Sequence, residues 1–231
     1  MYLIGKKAFI DNLSKITKVE ISKSNKSLIN TLKENNIQFE IKDENYFNKK
    51  FPNINHQFII SYIEKEILSL EDLISLTNKN DKVTIIMLDE INDPFNFGNI
   101  IRSAEAFGVI AIIYKGNNQV QINDTVIKAS TGAISNIHMI KVNNLSNALE
   151  ILKTNGFWIY ATTLANDSVD YTKIDYENKS IIIFGNENKG ISPLIASKSD
   201  FRIKIPMHGS VQSLNVGTSV GIVLAWIKKE G

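Results

Sequence analysis

The sequence predicts an α/β protein in which a largely parallel sheet is covered by helices on both faces. From Val83 onward, short runs rich in Val and Ile alternate with segments of helical spacing, as in parallel strands joined by crossover helices. The strand runs are apolar almost throughout, which is usual where both faces of a sheet are buried. A similar alternation over about the first 60 residues indicates a second, smaller α/β unit.

In the N-terminal unit we predict a turn and helix over 3–13, strands over 18–22, 37–41 and 57–62, and helices over 27–35 and 43–49. A charged and polar stretch follows and runs into a helix over 70–77, and we interpret it as a linker. The predicted organisation is therefore a domain over 1–62, a linker over 63–81 and a larger domain over 82–231.

In the larger domain the predicted strands cover 83–88, 110–114, 137–142, 157–162, 180–184 and 201–205. Predicted helices lie between Asn96 and Gly108 and over 124–130, 145–155 and 214–229. Asn96 is a candidate N-cap and Gly108 a candidate left-handed C-terminal residue of the first helix. Its expected apolar face consists of Ile100, Ile101, Ala104 and Phe107.

Composition excludes several classes of site. The chain of 231 residues has 43% hydrophobic and 22% charged residues, which is ordinary for a globular protein. It has no Cys and three scattered His, so a disulfide framework or thiolate metal site is excluded and we expect no metal. The N-terminus lacks a signal-peptide pattern and no apolar run approaches ~20 residues. We therefore expect a cytoplasmic protein without a membrane segment.

The charge is uneven along the chain. Residues 1–50 hold ten Lys and six acidic residues, a net charge of +4, whereas the whole chain is +2, so residues 51–231 carry −2. The basic N-terminal part points weakly to a polyanionic partner. On charge alone, a solvated lysine-rich surface is the favoured interpretation.

Arg102 is the first candidate functional residue. Of 26 basic residues only Arg102 and Arg202 are Arg. A chain that otherwise uses Lys keeps Arg where a planar, forked contact to phosphate is needed. Gly98 lies one helical turn before Arg102, so we expect open space there for a ligand. A solvated Arg on a helix surface is the alternative that this stretch alone leaves open.

Two further stretches carry groups suited to ligand binding. A predicted buried strand ends in a Gly-x-Glu-x-x-Gly loop over 185–190, and glycines at the end of a parallel strand let backbone amides reach a ligand. Residues 205–216 read Ile-Pro-Met-His-Gly-Ser-Val-Gln-Ser-Leu-Asn-Val and place Ser213 and Asn215 at the start of the last helix. Capping is the simpler role for both side chains.

In this order and spacing the three stretches resemble the signature motifs of the SpoU/TrmH (SPOUT) family of RNA ribose 2′-O-methyltransferases. The family pattern Asn-x-x-Gly-x-x-x-Arg-x-Ala-x-x-Phe-Gly is matched by 96–108, Gly-x-Glu-x-x-Gly by 185–190, and Ile-Pro-Met…Ser-Leu-Asn-Val by 205–216. The stretch 128–133 also resembles the family, and the likeness extends over about residues 83–228. Gly5 and the pair His56-Gln57 resemble the ribosomal-protein-L30-like substrate domain of its 23S rRNA (RlmB-like) branch.

The resemblance implies a C-terminal trefoil knot, a homodimer and S-adenosylmethionine as cofactor. The implied cofactor-binding residues are Thr162, Gly185, Ile205, Met207 and Leu214. The implied catalytic residues, around the incoming nucleotide, are Asn96, Arg102, Glu187, Ser213 and Asn215. Because a guanidinium pKa lies above ~12, we favour a role for Arg102 in holding phosphate and lowering the hydroxyl pKa, with proton loss to Ser213 or water. The general base stays open.

The sequence departs from the usual motifs at Asn186, Asn188 and Gly217. Asn188 stands where Gly is common, but Asn tolerates the left-handed conformation better than most residues, so the loop need not be lost. Gly217 replaces a commoner Ser, and with Gly221 it suggests close approach of another backbone. We expect the apolar side of the last helix to contribute to the dimer, and the alternative is that this helix only covers its own sheet. That side consists of Val216, Val220, Val223, Leu224 and Ile227.

Three functions remain in competition. The first is 2′-O-methylation of a ribose in rRNA, most simply a guanosine of 23S rRNA, and the second is the same reaction on tRNA. The third is a catalytically silent RNA-binding or ribosome-assembly factor. The full set of catalytic residue types argues against silence, and the separate N-terminal domain favours rRNA over tRNA.

Overall fold

A computed structural model describes residues 1–229 of the chain. The strands are β1 (Tyr2–Ile4), β2 (Ile16–Ser22), β3 (Gln38–Lys42), β4 (Ile59–Ile63), β5 (Val83–Asp89), β6 (Ala111–Lys115), β7 (His138–Val142), β8 (Trp158–Thr162), β9 (Val169–Asp170), β10 (Lys179–Gly185) and β11 (Phe201–Lys204). The helices are α1 (Lys6–Asp11), α2 (Lys26–Glu34), α3 (Glu44–Lys50), α4 (Leu70–Thr77), α5 (Pro94–Ala106), α6 (Asp124–Ala129), α7 (Leu145–Thr154), α8 (Pro193–Ser197) and α9 (Val216–Lys229).

The seven-stranded sheet has the order β7-β6-β5-β10-β8-β11-β9. Every neighbouring pair in it is parallel, which confirms the predicted parallel α/β architecture. Along β5, Ile86 and Leu88 belong to one buried cluster, whereas Ile85 and Met87 belong to another on the opposite face. Both faces of β5 carry apolar side chains because helices cover both sides of the sheet.

The helices divide between these two faces. The buried side chains of α5, α6 and α9 lie in the first cluster, and those of α4, α7 and α8 lie in the second. The stretch 63–81 therefore contributes to the large domain's core, because Leu70 and Leu73 of α4 are buried in the second cluster. None of the helices within residues 1–229 is both long and apolar enough to cross a membrane.

The N-terminal sheet has four strands in the order β1-β4-β2-β3. β4 runs antiparallel to both β1 and β2, and only β2 and β3 are parallel. β1 occupies part of the segment that the sequence pattern assigned to a turn and helix. Three residues are too few to show a strand period, and their pairing with β4, such as Leu3 with Ser61, is a contact across almost the whole domain.

The two sheets share one continuous core. The first buried cluster contains Leu3 and Phe9 of the N-terminal unit together with Val126 and Ile134 of the larger one. Lys65 lies across this joint, where its ammonium donates to the carbonyl oxygens of Ile134 and Ile137. Burial lowers the pKa of Lys65 to about 8. The joint is therefore packed and hydrogen-bonded, rather than a flexible connection.

Candidate active site

The candidate site lies at the carboxyl ends of β5 and β10, the two central strands. These strands are in register along their full length, so Asp89 and Gly185 lie side by side at their ends. From β5 the chain builds outward through β6 and β7, whereas β8 and β11 lie on the other side of β10. The strand order thus reverses between β5 and β10, and ligands of open parallel sheets bind at such a reversal.

A cavity of about 500 Å³ opens between the loops that follow β8, β10 and β11 and the start of α9. We call it the large cavity. All five residues named by resemblance as cofactor-binding line it, together with two of the catalytic candidates. These residues are Thr162, Gly185, Glu187, Ile205, Met207, Ser213 and Leu214. The buried side chains of Phe184, Ile203 and Val223 add an apolar wall.

The loop after β10 can form this wall only because it begins and ends in glycine. A Cβ on Gly185 would lie 2.2 Å from the carbonyl carbon of Gly190, which no side chain tolerates. Asn186 and Gly190 exchange backbone hydrogen bonds of 3.0 and 2.9 Å, and Gly190 takes a φ of 69°. Asn188 does not use the left-handed conformation that Asn tolerates, since its φ is not positive, and Gly190 supplies the left-handed turn.

A second, smaller pocket of about 380 Å³ lies between α5 and the start of α9. We call it the Arg102 pocket. It contains two of the catalytic candidates, Arg102 and Asn215, and six further residues. These are Asn99, Ser103, Ala106, Phe107, Gly217 and Thr218. Amide and hydroxyl groups therefore surround an exposed guanidinium.

The two arginines of the chain differ in their partners. Arg202 forms an ion pair with the Asp167 carboxylate. Arg102 is exposed, and over residues 1–229 it has neither an ion pair nor a hydrogen bond to another side chain or carbonyl. A fork of donors left unpaired beside amides and hydroxyls is suited to an anionic ligand such as phosphate.

The start of α5 differs from the prediction. The N-cap is Asp93, whose carboxylate accepts from the Asn96 backbone N–H at 2.7 Å, and Pro94 occupies the first helical turn. Asn96 lies inside the helix, so the prediction that it caps α5 was wrong. Gly108, in contrast, has the predicted left-handed conformation, with a φ of 64°.

Gly98 also has another role than expected. It is buried, and a Cβ on it would lie 2.3 Å from the Cβ of Ala129. Its missing side chain therefore lets α5 pack closely on the end of α6, and it does not line the Arg102 pocket. The interpretation of Gly98 as open space for a ligand was wrong.

Three of the candidates form a hydrogen-bond relay between the two cavities. The Asn96 amide nitrogen donates to Glu187 Oε1 at 2.9 Å, and the Asn215 amide nitrogen donates to Asn96 Oδ1 at 2.8 Å. Asn215 Oδ1 in turn accepts from the backbone N–H of Gly217 at 2.9 Å. Asn215 thus caps α9 and, with the same amide, fixes Asn96, so that the large cavity and the Arg102 pocket are connected.

The apolar side of α9 is not available to a partner as we expected. All five of its apolar residues are buried within the chain, where they cover the sheet and α5. Gly217 and Gly221 face α5 of the same chain, since a Cβ on Gly217 would lie 3.3 Å from the Cβ of Asn99 and one on Gly221 would lie 4.0 Å from Ser103 Oγ. The argument for a dimer from this helix face was therefore wrong.

Two features of the site were not read from the sequence. Asn99 lines the Arg102 pocket, and its position one helical turn after Asn96, facing away from the apolar side, could have shown it. Asn186 fastens the loop after β10 to the end of β5, and this needs the structure because the partner is a backbone carbonyl. Among residues 1–229 there is no group of three or more acidic or His side chains placed to hold a metal.

Comparisons with known proteins agree with this geometry. The sequence model described as the SpoU rRNA Methylase family matches residues 83–225. An uncharacterised tRNA/rRNA methyltransferase of Mycoplasma genitalium is 41% identical over 97% of this chain and 96% of its own. The AdoMet-bound rRNA methyltransferase of Sinorhizobium meliloti is 26% identical with a TM-score of 0.81, over 99% of this chain and 87% of that one. A TrmH/SpoU tRNA modifying enzyme of A. aeolicus is 32% identical with a TM-score of 0.59, over 70% of this chain and 83% of that one.

Proposed function

The chain belongs to the SpoU methylase family of RNA methyltransferases, and from that premise we propose that it methylates the 2′-hydroxyl of a ribose in RNA, with S-adenosylmethionine as methyl donor. The observation that supports this most directly is the arrangement of the three motifs. They surround two adjoining cavities, one with an apolar wall and one with an unpaired arginine. Ribose methylation needs these two binding sites next to one another.

The residues of the large cavity fit the cofactor. Its volume of about 500 Å³ is in the range of small-molecule sites, and its mixture of backbone edges and apolar side chains suits a nucleoside with a thioether chain. Gly185 and Ile205 would hold the cofactor through backbone groups, and Leu214 and Met207 through apolar contact, beside the Thr162 hydroxyl. When bound, S-adenosylmethionine supplies an electrophilic methyl group.

Arg102 would bind the phosphate next to the target ribose. Its guanidinium stays charged at any relevant pH, so it acts by position and charge and is a poor proton acceptor. A cation fixed beside the 2′-hydroxyl stabilises the oxyanion that develops there. Ser213 lines the large cavity; the proton would leave to water, either directly or through the Ser213 hydroxyl, which accepts one proton as it passes its own on.

The relay would keep the polar groups of both cavities in place. Glu187 and Asn215 are exposed side chains, which are costly to order one by one. Asn96 holds both of them by accepting from Asn215 and donating to Glu187. Such ordering before the ligands bind favours a reaction that depends on alignment.

For the substrate we propose rRNA, with a guanosine of 23S rRNA as the first candidate. The basic N-terminal unit supports an RNA-binding role, since Lys23, Lys26 and Lys33 are exposed and, within residues 1–229, free of ion pairs. The second candidate is tRNA, which the family's members also modify, as the A. aeolicus enzyme shows. A catalytically silent RNA-binding factor is the third, and the complete relay with a free Arg102 argues against it.

Several expectations from the sequence stay predictions. These are the trefoil knot, the homodimer, the cytoplasmic location and the domain division at 62 and 82. The dimer needs a surface other than the apolar side of α9, because the chain buries that side itself.

The test is methyl transfer from radiolabelled S-adenosylmethionine to transcripts of 23S rRNA and of total tRNA, followed by mapping of alkali-resistant ribose positions. We expect one ribose in rRNA to be labelled, and deletion of the gene to remove that mark from cellular rRNA. Label confined to tRNA would support the second candidate. Cofactor binding without transfer to any cellular RNA would support the silent factor.

A further inference from the structure

The loop between β10 and α8 is fastened at both ends to the end of β5. At its start, the side-chain amide of Asn186 donates to the backbone carbonyl of Glu90 at 2.9 Å. At its end, the backbone N–H of Ser192 donates to the Asp89 carboxylate at 2.9 Å. The loop carries Glu187 and forms one wall of the large cavity, so the end of β5 determines where that wall lies.

Asn186 uses every polar group of its side chain in this arrangement. Its Oδ1 accepts from the backbone N–H groups of Asn188 and Lys189 at 2.9 and 3.1 Å, while Nδ2 bonds to Glu90. Glu90 has a φ of 65°, a left-handed conformation that is strained for a residue with a Cβ. The strained residue thus lies next to the site, and its carbonyl accepts the hydrogen bond from Asn186.

Glu187 depends on this fastening. Its side chain is exposed and accepts a hydrogen bond from the Asn96 amide at 2.9 Å. A carboxylate on a loose loop would lose that bond readily, because ordering a long exposed side chain costs conformational entropy. Asn186 is covalently adjacent and holds the loop backbone on both sides of Glu187.

We propose that Asn186 is a positioning residue for the methyl-transfer reaction: it fixes the loop over 186–190 against β5 and thereby sets the Glu187 carboxylate against Asn96. The inference rests on the proposed function and deepens it. Asn is the residue type that suits the position, because Asp lacks the donor for the Glu90 carbonyl, and Ser is too short to bond in both directions.

The test is the full-length variant Asn186→Asp, which has the same shape and keeps the acceptor but places an oxygen opposite the Glu90 carbonyl. We expect kcat to fall about tenfold and the cofactor Kd to rise several-fold, with the circular dichroism spectrum unchanged. Asn117→Asp adds the same charge on an exposed loop and should behave as wild type. Asn186→Ser, whose hydroxyl is too short to bond to the Glu90 carbonyl and to the loop at once, should reproduce the loss if Asn186→Asp folds poorly.

A double-mutant cycle separates positioning from a merely structural effect. In a Glu187→Gln background, Asn186→Asp should lower kcat by less than about twofold, because the group it positions is already altered. The same tenfold loss in both backgrounds, or no loss in either, would overturn the inference while leaving the proposed function intact. A wild-type protein that neither binds S-adenosylmethionine nor methylates RNA would overturn both.

Discussion

The large cavity and the Arg102 pocket lie side by side but are built differently. The large cavity is shaped by backbone: glycines in contact, strand ends in register and a loop closed by its own hydrogen bonds. The Arg102 pocket is shaped by side chains on two helices, and its charged group is left unpaired. The first cavity therefore has its form before a ligand arrives, whereas the second offers charge and hydrogen bonds that a ligand completes.

The broadest effect, on both cofactor affinity and stability, should come from adding a Cβ to Gly185 in the large cavity. In Gly185→Ala the new Cβ would meet Gly190 and Ile191 backbone atoms at 2.2 to 2.4 Å, and the loop must move. We expect cofactor affinity to fall at least about tenfold and stability by about 1–3 kcal/mol. Calorimetric titration and urea unfolding measure the two.

Gly209→Ala is the matched control, because a Cβ there would meet nothing within 4 Å and its φ is not positive. It should bind the cofactor as wild type does. Normal affinity in Gly185→Ala would show that the large cavity is adaptable, and the contrast with the Arg102 pocket would then be lost.

The Arg102 pocket should be sensitive to the loss of the guanidinium even when the positive charge is kept. Arg102→Lys keeps the charge and loses the planar fork, so we expect kcat/KM for RNA to fall about 100-fold with cofactor Kd changed by less than about threefold. Arg202→Lys, at the ion pair with Asp167, should keep activity. An active Arg102→Lys enzyme would mean that charge alone suffices in this pocket.

The relay predicts a smaller effect that reaches both cavities. Asn215→Asp keeps an acceptor for the Gly217 N–H and so keeps the cap of α9, but it cannot donate to Asn96. We expect kcat to fall about tenfold with little change in stability. Asn215→Ala should also lose the cap, which costs about 1 kcal/mol. Equal activities of wild type and Asn215→Asp would show that the hydrogen bond from Asn215 to Asn96 is not needed for catalysis.

The smallest effect should come from the N-terminal lysines and concern RNA alone. Replacing Lys23, Lys26 and Lys33 by Gln removes three unpaired charges, so RNA affinity should fall and its salt dependence should weaken by about one unit per lost phosphate contact. Cofactor affinity should be unchanged. Lys18→Gln with Lys42→Gln, both paired with Glu40, is the control and should have a smaller effect. An unchanged salt slope would show that these lysines do not contact the RNA phosphates.

The sequence predicts the sheet and its helices well where periodicity has room to show. β5 and α4 lie where the apolar pattern puts them, and Gly108 adopts its predicted conformation. β9 and α8 were not predicted because two and five residues carry no period. Asp93 could have been read as the cap of α5, since Pro94 directly after it is a favoured first residue of a helix.

The sequence predicted which residues form the site better than it predicted which contacts they make. The motif residues do meet at two cavities. Their spacing, however, does not show that Gly98 packs against Ala129 or that the valines of α9 are buried within the chain. Asn186 illustrates the limit most clearly. Its role depends on the Glu90 carbonyl, 96 residues away in sequence and just after β5. It also depends on the backbone conformation of Glu90, which the residue types do not show.

The joint between the two sheets fixes the distance between the N-terminal lysines and Arg102. Leu3 and Phe9 share a core with Val126 and Ile134, and Lys65 crosses between them with two carbonyl acceptors. Swinging one sheet away from the other would expose that apolar surface and break both hydrogen bonds of Lys65, which is costly. Lys23, Lys26 and Lys33 of the N-terminal unit therefore keep a fixed separation from Arg102. An RNA that contacts both must have phosphates at this separation, because the joint does not let the two surfaces move apart.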